Sequence, residues 1–112
     1  MHLSQFDQDA TLNDNGTVSV SGTVAAETDE HGDVVPRRNT VRFEFLIVQG
    51  EHVAKGESAS RADQWTGVTE SAGGLSLGPA LAIGLAVETK KKPTPGFLSS
   101  TWMQEIVLRP LV

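Results

Sequence analysis

Apolar residues recur at every second position along this chain, and no stretch carries a convincing helical stripe. In Thr40–Gln49, Val41, Phe43, Phe45 and Ile47 fall on one face, with Arg42 and Glu44 on the other. A period of two places successive side chains on opposite faces of a strand. Leu46 and Val48 make the far end apolar on both faces, which predicts a strand central in its sheet. Val18, Val20, Gly22 and Val24 alternate with Ser19, Ser21 and Thr23 in the same way. Before them, Asn13-Asp14-Asn15-Gly16 is a tight-turn sequence whose residues tolerate positive φ. It joins a short strand near Asp9–Leu12 to the Val18 strand.

Four further segments extend the pattern. His52–Arg61, polar and carrying Lys55 and Glu57, is expected at an edge. Trp65–Glu70 is short, anchored by Trp65 and Val68. Ala80–Thr89 sets Leu81, Ile83, Leu85 and Val87 against Ala82, Gly84, Ala86 and Glu88, with the small residues on its second face. A last strand near Leu98–Arg109 carries Trp102, Ile106 and Leu108 on one face. Lys90–Gly96, with Pro93 and Pro95, breaks regular structure. Residues 1–7 are expected as a loose arm or part of the first edge strand.

The expected fold is all-β, a seven-stranded antiparallel immunoglobulin-like sandwich, with a small closed β-barrel as the alternative. At 112 residues the chain is long enough for one domain and has no linker or repeat. Its net charge of −5 argues against nucleic acid, which needs a basic face. Residues 1–36 hold Asp7, Asp9, Asp14, Glu27, Asp29, Glu30 and Asp33 and no Lys or Arg. The absence of cysteine excludes disulfides and zinc–thiolate sites. No apolar run has the length of a membrane helix. Met1–Asp7 lacks the basic start and apolar stretch of a signal peptide. The compartment stays open: cytoplasmic for the chain as it stands, secreted if a leader has been removed.

A series of positions carries a resemblance. They are Val18–Val24, Val48-Gln49, Gly56, Trp65-Thr66-Gly67-Val68 and Leu77-Gly78-Pro79-Ala80. Over residues 16–90 the chain resembles small immunoglobulin-like β-sandwich domains of unassigned function from high-GC Gram-positive bacteria. The resemblance implies the fold and no activity. Those domains usually carry a cysteine pair, which would fall near Ala25 and Arg61; neither is cysteine here.

Residue chemistry points away from catalysis and from cofactors. His2 lies in the arm, His31 in an acidic loop with Asp29, Glu30 and Asp33, and His52 after a turn. That loop and Asn13–Gly16 both lack the rhythm of a calcium loop and its distal bidentate Glu. Ser19, Ser21, Ser58 and Ser60 are expected as outward strand residues, and no nucleophile elbow is present. Glu27 with Glu30, and Asp7 with Asp9, are close only in sequence. Gly73-Gly74 lacks the Lys and helix of a phosphate loop. Lys90–Lys92 is too short a basic run for a lipid patch. Trp102 is expected in the core and Trp65 at least half buried.

These features favour a non-catalytic interaction or structural module, with no metal or cofactor. A carbohydrate- or calcium-binding sandwich using its loops is the alternative, and a hydrolytic enzyme with an unrecognised site the third reading. The last strand is apolar on both faces, with Met103 and Val107 opposite the core row. The stripe of Ala82, Gly84 and Ala86 would let another surface approach closely. Together they predict a homodimer through Met103 and Val107, extending to Ala82 and Ala86. Any other protein partner is unspecified.

Overall fold

A computed structural model describes residues 4–35, 39–90 and 96–111. Among them are ten strands and no helix: β1 (Ser4–Phe6), β2 (Asp9–Leu12), β3 (Val18–Val24), β4 (Glu27–Thr28), β5 (Val34–Val35), β6 (Val41–Gln49), β7 (His52–Ser60), β8 (Gln64–Thr69), β9 (Gly78–Lys90) and β10 (Gly96–Pro110). The order β3-β2-β10-β9-β6-β7-β8 returns to β3 through a β3–β8 ladder, so the sheet closes into a seven-stranded barrel. The seven strands expected from the periodicity are the seven barrel strands. They form the closed barrel rather than two separate sheets. β4 and β5 make a separate acidic hairpin. Ser4–Phe6, expected as arm or edge, pairs with β3, while residues 1–3, and with them His2, lie outside the described residues. Lys90 ends β9; Lys91, Lys92 and both prolines of that loop also lie outside.

The barrel is not wholly antiparallel. Strand direction cannot alternate all the way round a ring with an odd number of strands, so one neighbouring pair must be parallel. Here it is β2 with β10, from Asp9↔Val107 to Leu12↔Pro110.

β6 is central as expected, paired with β7 on one side and β9 on the other. β7 is not a free edge. It pairs along its whole length with β6 and meets β8 at Gly56↔Thr69 and Glu57↔Val68. Beyond that point side chains take over from the ladder. Ser58 Oγ donates to Thr66 O, and Ser60 Oγ donates to Gln64 O at 2.7 Å. Both serines therefore lie on the inward row of β7 at this seam, not outward; Ser19 and Ser21 do lie outward. A second seam separates β1 from β10. Gln104 Nε2 donates to Phe6 O at 2.7 Å, and Gln104 Oε1 accepts from Phe6 N at 3.1 Å. One primary amide supplies the donor and acceptor of a missing strand neighbour, which satisfies backbone groups that would be costly to leave unpaired.

The interior is a cluster of aromatic rings. Phe6, Phe43, Phe45, Trp65 and Trp102 are all at least 94% buried. Phe43 stacks on Trp65 at 4.5 Å, and Phe6 lies 5.1 Å from Trp102 and 5.4 Å from Trp65. A barrel this narrow holds so many rings because glycines stand opposite them. Across the ladders, Phe6 and Trp65 both face Gly22. Phe45 faces Gly56 on one side and Gly84 on the other, and Trp102 faces Gly84 from β10. A Cβ at Gly84 would stand 2.5 Å from a Trp102 ring carbon; at Gly56 it would overlap the Phe45 ring. Alternation of small and large inward residues is how small barrels fill without strain.

That packing decides which face of β9 is inside. Its inward row is Ala80, Ala82, Gly84, Ala86 and Glu88, all buried. Leu81, Ile83, Leu85 and Val87 point outward. The small row faces the core because β6 and β10 already place Phe43, Phe45, Trp102 and Ile106 in the space beside β9, so the expected interface role of Ala82 and Ala86 fails.

Unfolding in urea tests the ring–glycine pairing. Phe45→Ala is expected to cost about 3–5 kcal/mol, and Gly56→Ala about 1–3 kcal/mol by overpacking. Gly56→Ala made in a Phe45→Leu background should cost clearly less, because the clashing ring is gone. Equal costs in the two backgrounds would show that the pair does not set the packing.

Candidate functional site on the outer barrel face

The loops use their polar groups on themselves. Asn13 Nδ2 donates to Thr17 Oγ1 and to Ser19 Oγ, both at 2.9 Å, and Gly16 N donates to Asn13 O at 3.1 Å. Gly16 has φ of 83°, which side-chain-bearing residues rarely adopt. Asp29 Oδ1 accepts from His31 N at 2.9 Å and Asp33 N at 3.0 Å, the arrangement of an Asx turn in the β4–β5 hairpin. His31 lies 3.6 Å from Glu30, both well exposed. His52 packs its ring over Gly74. Among the described residues, no three His, Asp or Glu side chains group where they could hold a metal ion.

A polar cavity of about 480 Å³ lies at one barrel end, between the Asn13–Gly16 turn and the Ser71–Leu75 loop. Its walls are tied together: Ser71 Oγ donates to Asn15 O at 2.6 Å, and Ala72 N donates to Gly16 O at 3.1 Å. Gln49 holds the rest of that loop, donating from Nε2 to Ser76 O and Pro79 O and accepting from Ser76 N at 2.8 Å. Trp65 and Trp102 are inside the barrel, so neither offers its ring to a sugar.

The outer surface over β10, β9 and β6 is different. Its side chains line up in rows across the ladders. Glu105, Leu81, Val48 and Val53 form one row; Met103, Ile83, Leu46 and Lys55 the next; Thr101, Leu85, Glu44 and Glu57 the third. Met103 is 70% exposed, Leu77 56% and Val53 50%. Leu46, Val48, Ile83, Leu85, Val87 and Val107 are half-buried by their lateral neighbours. Between the second and third rows lies a groove of about 370 Å³, lined by Leu46, Ile83, Leu85, Thr101, Glu44 and Lys55. Phe45 and Gly84 also line it, and only their backbones can form its floor, since the Phe45 ring points inward.

Of the four residues expected at an interface, the structure brings Met103 and Val107 to this face and removes the other two. Ala82 and Ala86 are fully buried on the inward row of β9, so no partner can reach them. The stripe of small residues accommodates the protein's own Phe43, Phe45 and Trp102. The residues that replace them, Leu81, Ile83 and Leu85, were not singled out because both rows of β9 are apolar and alternation alone does not choose between them. The sequence cue is Gly84 in mid-strand, since a glycine there marks where another group comes close.

Among the described residues, no helix is long and apolar enough to cross a membrane. Comparison with protein-family models, curated proteins and solved structures finds no match to this chain.

The orientation of β9 has a direct test in thermal melts. Ala82→Leu should lower the melting temperature by several degrees, since overpacking costs about 1–3 kcal/mol, while Leu81→Gln should change it little. The reverse ranking would place the large residues inside. Turn chemistry and packing account for the loops, so EDTA should leave the melting curve in place; a drop reversed by calcium would reveal a metal in them.

Proposed function

We propose that this protein is a non-catalytic interaction module that docks through the outer face of β6, β9 and β10, and that it pairs there with a second copy of itself. The observation that carries the reading is β9, a long strand that turns its alanines and glycine inward and its Leu81, Ile83, Leu85 and Val87 outward. Contiguous exposed apolar surface of more than a few hundred Å² marks interaction sites in monomer-sized proteins. From Pro79 to Val87 the outward row is about 26 Å long, and three strands are about 14 Å wide. With Glu44, Thr101 and Glu105 included, that strip projects to about 370 Å² before side-chain relief is counted, a little under half of the ~800 Å² that each partner buries in a standard interface. The polar groups that line the end cavity hydrogen-bond within the chain, from Asn13 to Thr17 and Ser19 and from Ser71 to Asn15, which favours docking over enzymatic work, because catalysis needs polar groups that converge on a substrate.

Sedimentation across micromolar concentrations tests this. The expected result is a reversible dimer that Met103→Lys combined with Val107→Lys converts to the 11.9 kDa species without loss of the folded spectrum. A monomer at every concentration, or a dimer that survives both lysines, overturns the reading.

A further inference from the structure

We infer that Met103 of one copy seats in the groove between β6 and β9 of a second copy, about a twofold axis running between β9 and β10; this rests on the self-association proposed above. A closed twofold interface uses the same patch on both partners, so a projecting side chain and the hollow that receives it must lie on one face. Here they do. Met103 stands beside Ile83 in the β9–β10 ladder and is the most exposed large apolar side chain of the described residues, at 70%. The groove starts at Thr101, next to Met103 on β10, and runs past Ile83 and Leu85 to Leu46, so its centre lies toward β6. Knob and hollow are separated by one to two strand spacings, about 5–10 Å. Rotation about an axis midway between them brings each onto the other in the partner.

The chemistry of the two parts also matches. The groove has aliphatic walls and is floored by the backbone of Phe45 and Gly84, so it accepts an apolar group. Methionine is unbranched and polarizable and fits irregular hollows better than a branched side chain. It is also among the residues enriched at interface centres. In a second copy the same contact forms twice, so both grooves are filled at once. Glu44 and Lys55, both exposed, line the groove beside Leu85 and Leu46.

The chain carries two methionines, at positions 1 and 103, in separate peptides. Photo-methionine incorporated at both, in a mixture of ¹⁴N- and ¹⁵N-labelled protein, therefore reports where Met103 rests in the other copy. Cross-links from Met103 to Glu44–Leu46 and Ile83–Leu85 across the isotope pair are expected. In parallel, Met103→Ala should weaken the dimer about tenfold, a loss of the size a buried anchor gives. Met103→Leu should retain most of the affinity, and Leu85→Trp, which fills the groove from the side, should weaken it with the melting curve unchanged. A dimer whose Met103 cross-links fall elsewhere, or do not form, overturns this geometry and leaves self-association standing. An 11.9 kDa species at all concentrations removes self-association itself.

Discussion

The rest of the structure depends on the fit between aromatic rings and the glycines opposite them. Phe6, Phe45, Trp65 and Trp102 come from four different strands and meet at one level of the barrel. Gly22, Gly56 and Gly84 stand on the strands between them. A side chain at any of the three would collide with a ring, and at Gly22 also with the backbone oxygen of Gln5. Each glycine costs the strand conformational entropy and a packing partner. Burying a large ring returns more, because aromatic side chains remove the largest apolar areas from water. The glycines are therefore a condition of the closed barrel.

Closure has consequences at the seams. Seven strands impose one parallel pair, and the shear of a narrow barrel leaves short stretches where neighbouring backbones do not meet in register. Gln104 bridges one such stretch, and Ser58 and Ser60 bridge another. These polar residues sit on inward rows, where an alternation rule expects apolar ones. Their neighbours there are unpaired backbone groups, which a hydroxyl or amide satisfies and a methyl does not. Thr69 works similarly, accepting from Val18 N at 2.9 Å while buried.

A filled barrel pushes function to its exterior. The volume that β9 would have occupied with leucines is taken by rings from β6 and β10, so those leucines are turned out. The large outward row and the glycine-bearing inward row are two sides of one packing solution. The proposed docking face thus follows from the core: Gly84 admits Trp102 and Phe45 on the inside, and its inward row leaves Leu81, Ile83 and Leu85 outside.

Period-two alternation was enough to place all seven barrel strands and the buried rows of β6 and β10, and the residue types of Asn13–Gly16 were enough to place the turn. Those are local properties: a strand's two faces, and a turn that needs a residue at positive φ, are written in adjacent residues. Alternation could not say which face of β9 is inside, because both of its rows are apolar. Nor could it say that β3 and β8 pair, that β2 runs parallel to β10, or that Ser58 and Ser60 face inward. Each of these is decided by what stands on another strand, often far away in the chain. Met103 was legible as an outward residue because Trp102, Ile106 and Leu108 define the opposite row. Ala82 and Ala86 were misplaced because their smallness is complementary to Phe43, Phe45 and Trp102, and complementarity between strands exists only once the barrel has closed.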